Sequence, residues 1–302
     1  MRVGIIGAGC VGSVLAERIS SLKYSTDVYF IAKGKYIERL RNGINVNDNL
    51  VKVKIADEAT SPLDLIFVCV KNFDLLTACE DMRPYLNDNT IIFPLLNSVT
   101  PTPSIKEYYP NNRVLYGYIS KIDAYNDGNG FRYNVAGEIH FGYSENPDPK
   151  PELLEIKDML AMAGFTVFVD KDMKRGIWKK WMLNVGANQV SALTEADYIK
   201  FSKIPEIHHI LRLAMQELLI IASYEGVNLG TRDIAETIEY LTTYPYPKKT
   251  SMLQDVLAHR KTEVDYISGD VVRLAHKWNC PCPVNLTMYY LIKSKEQAYL
   301  AE

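Results

Sequence analysis

Residues 2–31 read RVGIIGAGCVGSVLAERISSLKYSTDVYFI, and this stretch decides the fold. An apolar strand over 2–6 runs into Gly7, Gly9 and Gly12. Helical spacing then holds from Val11 to Leu22, and a second strand, DVYFI, follows at 27–31. A lone G-x-G-x-x-G is weak, but strand, glycines, helix and strand within about 30 residues form the context that gives it meaning. Gly7 permits a tight turn, Gly9 lets the backbone approach a pyrophosphate, and Gly12 lets the helix pack close to the sheet. The helix start then aims its N–H groups at the phosphates, so Gly7, Ala8, Gly9, Cys10, Val11 and Gly12 form a candidate dinucleotide cradle. A secretory leader fits the same residues poorly, because the glycines are regularly spaced and the basic n-region is nearly absent.

The end of the second strand selects the dinucleotide. An NAD site usually places Asp or Glu there for the ribose 2′-hydroxyl. Here the chain reads Ile31-Ala32-Lys33-Gly34-Lys35, with no acid, and the lysines suit a 2′-phosphate. NADP(H) is the predicted cofactor. Further along, helical patterns at about 35–43 and 73–82 alternate with apolar strands at 63–70 (LDLIFVCV) and 90–96 (TIIFPLL). Such alternation predicts βαβ units and a parallel sheet. Past 113, RVLYGYISKIDAY, GFRYNVAG and EIHFGY read as antiparallel or mixed strands completing that sheet. A helix is expected over 151–162 and a last strand, TVFV, at 166–169, with only helical patterns from about 171. The predicted organisation is α/β: an N-terminal Rossmann-like domain with a mostly parallel sheet, 1–170, followed by an all-α domain, 171–302.

Bulk properties agree. The 302 residues are 47% hydrophobic and 23% charged, the composition of a folded globular chain rather than a disordered one. A net charge of −2 gives no global reason to expect nucleic acid or an anionic membrane as partner. No apolar run reaches the roughly 20 residues that span a bilayer. Five cysteines without regular spacing read as reduced thiols of a cytoplasmic protein, Cys10 and Cys69 as small buried residues. Neither a disulfide framework nor a metal site is expected.

Two constellations carry chemistry. Lys180, Asn184 and Asn188 follow one another at steps of four on a predicted helix, so they share a face. A solvated helix side would account for polar residues there. Asparagine is a poor exposed-helix former, however, and a buried polar strip meeting a ligand explains two of them better. The second is TSMLQD at 250–255 with TEVDY at 262–266. Ser251 and Gln254 have capping-box spacing, which predicts Ser251 at a helix start, where a hydroxyl and N–H groups can also hold a carboxylate. Glu263, read alone, is a surface glutamate within a helix.

Together these motifs resemble the ketopantoate reductases (2-dehydropantoate 2-reductases) over nearly the whole chain. The resemblance rests on GIIGAGCVG, VCVK ending at Lys71, LLN ending at Asn97, GEIHFG at 137–142, IWKKWMLNVGANQVSALT at 177–194 and SMLQDVLAHRKTEVDYISG at 251–269. It implies a Rossmann domain and a helical domain with the site in the cleft between. It also implies NADPH-dependent reduction of a 2-oxo acid, with Lys180 as general acid and Glu263 as a carboxylate by the substrate hydroxyl, with a share in the cofactor side. Ser251 would bind the substrate carboxylate. Asn184 and Asn188 would hydrogen-bond substrate, and Lys71 and Asn97 would contact cofactor and substrate. Lys33 stands where the family often has an arginine for the 2′-phosphate.

Two departures stand out. Asn97-Ser98 replaces the usual Asn-Gly, so the turn must differ or accept strain. Lys248-Lys249 precede the serine motif and add positive charge near an anionic substrate. Burial should lower the Lys180 pKa, and Glu263 should raise it. Two other readings stay open: reduction of another small 2-oxo acid, and a non-catalytic NADP-binding sensor. The stripe HHILRLAMQELLIIASY suits a core helix or a homodimer seam, and the Tyr-rich loop 240–247 a lid or plain surface.

Overall fold

The computed structural model describes residues 1–22, 26–244 and 246–301. The chain begins with β1 (Arg2–Ile6), α1 (Cys10–Ser20), β2 (Asp27–Ile31), α2 (Lys35–Arg41), β3 (Ile44–Val46), β4 (Asn49–Val51) and β5 (Lys54–Ile55). It continues through β6 (Leu65–Val68), α3 (Leu75–Met82), β7 (Ile91–Pro94), α4 (Pro101–Tyr108), β8 (Arg113–Val114) and β9 (Tyr116–Ser120). Then come β10 (Tyr125–Asn126), β11 (Phe131–Arg132), β12 (Glu138–Gly142), α5 (Pro151–Met162) and β13 (Thr166–Val169). Helices follow: α6 (Met173–Thr194), α7 (Tyr198–Lys203), α8 (Pro205–Tyr224), α9 (Thr231–Thr243), α10 (Ser251–Leu257), α11 (Val264–Lys277) and α12 (Pro283–Leu300).

Two compact units result. One comprises 1–96 and 100–176; the other comprises 177–302 together with Asn97–Val99. The first carries a parallel sheet in the order β5-β2-β1-β6-β7-β8. Alternate residues of its strands feed two different cores. Val3, Ile5, Phe67 and Phe93 join α1 on one side, while Ile6, Ile66, Val68 and Ile92 join α3 and α4 on the other. Burial on both faces explains why β6 and β7 are unbroken apolar runs rather than alternating ones.

The strands past 113 correct one expectation, because apart from β8 they do not extend this sheet. They form a mixed three-stranded sheet, β13-β12-β9, and a four-stranded one, β10-β11-β3-β4. The reason is packing. Gly117 brings the β9 backbone against the Phe93 ring, where any Cβ would collide, and Phe93 stacks on Phe141 of β12 at 5.0 Å. These aromatics lie face to face, so β9 and β12 cover the sheet instead of lengthening it.

In the helical unit α8 is amphipathic. Ile207, Leu211, Ala214, Met215, Leu218 and Ile221 are buried, which makes it a core helix. Gln189 of α6 donates to Asn285 of α12 at 2.8 Å, and Asn285 donates to the Ala214 carbonyl of α8 at 3.0 Å, so one buried network ties three helices. Among the described residues no helix is long and apolar enough to cross a membrane, and all five cysteines are free. Cys10 and Cys69 are only partly buried, because both sit where the chain leaves a strand or starts a helix. Burial still pushes the Cys69 thiol well up.

Candidate active site

The sheet register aligns the candidate cofactor-side residues. Ile31, Ile6, Val68 and Pro94 sit side by side across β2, β1, β6 and β7. The chain therefore leaves four neighbouring strands at one edge, on the way to Lys33, Gly7, Lys71 and Asn97. That edge, where the connections diverge on either side of β1, is where open α/β sheets bind ligands.

The glycines fit a dinucleotide for separate reasons. Gly7 has φ +101°, and a Cβ there would come within 2.6 Å of the backbone of Cys69 and Val70. A Cβ on Gly12 would collide with the Gly7 carbonyl oxygen. Gly9 differs: a Cβ there meets nothing within 4 Å, so the space in front of the α1 cap is open. The first intrahelical bond runs from Ser13 N to Gly9 O, and the first turn of α1 holds no acidic residue. Its leading N–H groups, Cys10 and Val11 among them, face no carboxylate of their own helix, which suits a phosphate. Lys33 lies just past β2 and its ammonium pairs with Asp81 at 2.8 Å, which raises its pKa. Its side chain remains 62% exposed. Lys71 caps the short 3₁₀ turn 72–74 after β6.

The substrate-side candidates lie in the helical unit. α6 runs unbroken through Lys180, Asn184 and Asn188, so the three do share a face. Both asparagines are 4% exposed, and among the described residues the Asn184 side-chain amide nitrogen has no hydrogen-bond partner. An unmet buried donor costs about 1–3 kcal/mol, which a ligand acceptor would recover. Lys180 is partly buried. Burial first, and the Lys248 charge second, lower its pKa to about 8. Desolvation thus prevails, and Glu263 is not among the causes. Lys248 is held over the rings of Tyr198 and Tyr244, at 5.9 and 5.2 Å. In the Tyr-rich stretch Tyr240, Tyr244 and Tyr246 meet edge to face, while Pro245 lies outside the described residues.

The second constellation needs correction. Thr250, not Ser251, caps α10: its hydroxyl accepts from Leu253 N at 3.2 Å. Gln254 donates to the Lys249 carbonyl instead of completing a capping box. α10 spans only seven residues, so the helix end offers little to a carboxylate, and what remains is the exposed Ser251 hydroxyl. Glu263 is not a surface residue. It is 5% exposed and caps α11. Glu296 of α12, itself buried, accepts from Thr262 N and Oγ1 at 3.0 and 2.6 Å and so fixes the turn that presents Glu263. Trp181 of α6 donates to the Tyr266 carbonyl at 3.3 Å, bracing the Lys180 helix against the first turn of α11.

Comparison with known proteins decides the family. The family described as "Ketopantoate reductase PanE/ApbA" matches residues 3–146, and its C-terminal counterpart matches 172–296. The chain belongs to the ketopantoate reductase family. It is an oxidoreductase acting on a CH–OH group. A relative from Archaeoglobus fulgidus, named 2-dehydropantoate 2-reductase, is 27% identical over 98% of both chains. The fold is shared with D-mandelate dehydrogenase solved with NADH and anilino(oxo)acetate (TM-score 0.89, 21% identity, 99% of each chain). It is also shared with a dimeric ketopantoate reductase from Staphylococcus aureus (TM-score 0.82, 20% identity, 99% of this chain and 100% of that one). Within this ketopantoate reductase-family frame, Thr250, Glu296 and Asp270 are residues that sequence reasoning passed over. Only Thr250 carries a sequence signal, as a good capping residue one position before Ser251.

Proposed function

We propose that the protein reduces 2-dehydropantoate to pantoate with NADPH. The observation that carries this reading is one helix face on which a partly buried lysine with its pKa lowered to about 8 accompanies the buried Asn184, whose amide nitrogen lacks a partner among the described residues. The Gly7–Gly12 turn, Lys33 and Lys71 would hold a nicotinamide dinucleotide, which when bound would supply the hydride for the C2 carbonyl carbon. The carbonyl electron pair moves onto oxygen, where the Lys180 ammonium stabilises the growing charge and then delivers its proton. Asn184 and Asn188 donate hydrogen bonds to substrate oxygens, Ser251 holds the carboxylate, Asn97 contacts substrate from the end of the β7 connection, and Glu263 accepts from the substrate hydroxyl.

The test is NADPH oxidation with ketopantoate beside a panel of branched and aryl 2-oxo acids, repeated with NADH. Preference for ketopantoate with NADPH is the expected result. Activity confined to another 2-oxo acid would keep the chemistry and move the substrate. That second reading draws on Lys248, on Ser98 and on the mandelate dehydrogenase likeness. Tight NADPH binding with no turnover on any acid would leave the sensor reading.

The same proposal places the protein in cytoplasmic pantothenate synthesis, with no nucleic acid or membrane partner, and extends to a homodimer. Opposite its buried face, α8 exposes Ile210, Leu213, Ile220 and Tyr224 in one stripe. The S. aureus neighbour is described as dimeric. Sedimentation of the wild type against Leu213→Glu checks it: a dimer that the variant splits is expected, and a monomeric wild type ends the idea.

A further inference from the structure

Asn97–Val99 interrupt the first compact unit and belong with the helical one. Ser98 is 3% exposed, and its hydroxyl donates to Oδ2 of Asp270 at 3.0 Å. Asp270 is itself 2% exposed on α11 and is ion-paired with Arg273, whose guanidinium also donates to the Asp265 carbonyl. A carboxylate this deeply buried is tolerated only where opposite charge and hydrogen-bond donors satisfy it, and Ser98 is one of those donors. The glycine expected at this position from the family resemblance carries no such donor. Nor does Ser98 suffer for replacing it, because it is not among the described non-glycine residues with positive φ.

The bond therefore has a consequence for Asn97, its chain neighbour. Glu263 is the N-cap residue of α11, whose first turn is braced by Trp181 of the Lys180 helix. We propose that Ser98 is a positioning residue: its hydrogen bond to Asp270 sets Asn97 on the same helical frame that carries Lys180 and Glu263. The substrate then meets Asn97 already ordered and does not bear the entropy of ordering the loop. This rests on the reductase reading.

The experiment is a double-mutant cycle on the full chain, Ser98→Ala, Asn97→Ala and both together, with KM, kcat and NADPH affinity measured separately. Ser98→Ala is expected to raise the 2-oxo acid KM about 5- to 10-fold, with kcat and NADPH affinity changed less than about twofold. In the Asn97→Ala background the same change should add less than about twofold, because interacting neighbours are not additive. An unchanged KM in Ser98→Ala overturns the proposal. So does an undiminished effect in the Asn97→Ala background, or a loss confined to melting temperature. A wild type that turns over no 2-oxo acid overturns the reductase reading and Asn97's role with it, an outcome distinct from an active wild type whose Ser98→Ala variant behaves identically.

Discussion

In the proposed site, the glycine-rich turn and the polar strip on α6 would recognise ligands in opposite ways. The turn works by what is missing: three absent side chains let backbone approach backbone at Gly7 and Gly12 and leave space before α1 at Gly9. The strip works by what is withdrawn from water: Asn184 and Asn188 are buried and Lys180 is partly buried beside them. A backbone site costs the fold little. A buried polar site strains it until the ligand arrives, and the lowered Lys180 pKa is one measure of that strain.

The largest effect should come from the strip. Lys180→Ala is expected to lower kcat by on the order of 10³-fold while NADPH affinity, read by fluorescence titration, stays put. A kcat within tenfold of wild type would remove Lys180 as the acid. Lys180→Met sharpens the same contrast from the stability side. Removing a desolvated charge should raise stability by about 2 kcal/mol while abolishing turnover. A lower melting temperature in that variant would show that the lysine does not strain the fold.

Gly9→Ala tests the other region. Its Cβ meets no protein atom within 4 Å, so the melting temperature should hold while NADPH affinity falls about tenfold, through contact with the approaching phosphates. Unaltered affinity would mean the dinucleotide does not pass Gly9. Lys33→Ala should reduce the preference for NADPH over NADH by a similar or smaller factor. The lysine is exposed and already shared with Asp81, so its charge is partly spent and screened. An unaltered ratio of the two specificity constants would assign the 2′-phosphate to another residue.

The smallest effect concerns pH. A general acid must be protonated, so kcat/KM should fall as pH rises through about 8, the Lys180 value. Lys248 contributes to lowering that value, so Lys248→Met should move the falling limb to higher pH, by less than one unit. A limb that stays in place, or moves down, would disconnect Lys248 from Lys180.

Much of this was legible in the linear sequence, and unevenly so. The parallel sheet, the helical second half and the glycine turn could be read because each depends on local spacing: period-independent apolar runs, 3.6-residue stripes, and glycines at fixed offsets. The strip on α6 was legible for the same reason, since a step of four keeps one face. The later strands were harder. Their β character was plain, but which sheet they join depends on Gly117 lying on Phe93, a contact between segments with no sequence signature. The cap of α10 slipped by one residue because threonine and serine are both good caps, and local sequence does not choose between neighbours.

The sequence by itself determined the fold class and the residues that could do chemistry, because backbone geometry and residue type are local properties. Only the tertiary structure decided their state. It buried Glu263 and put Glu296 behind its turn. It settled the contest over Lys180 in favour of desolvation, with Lys248 adding to it. It also turned Ser98, an apparent loss of backbone freedom, into a hydrogen-bond donor for a buried carboxylate 172 residues away. Burial and charge pairing arise between distant segments, and they set what an ionisable or polar group is able to do.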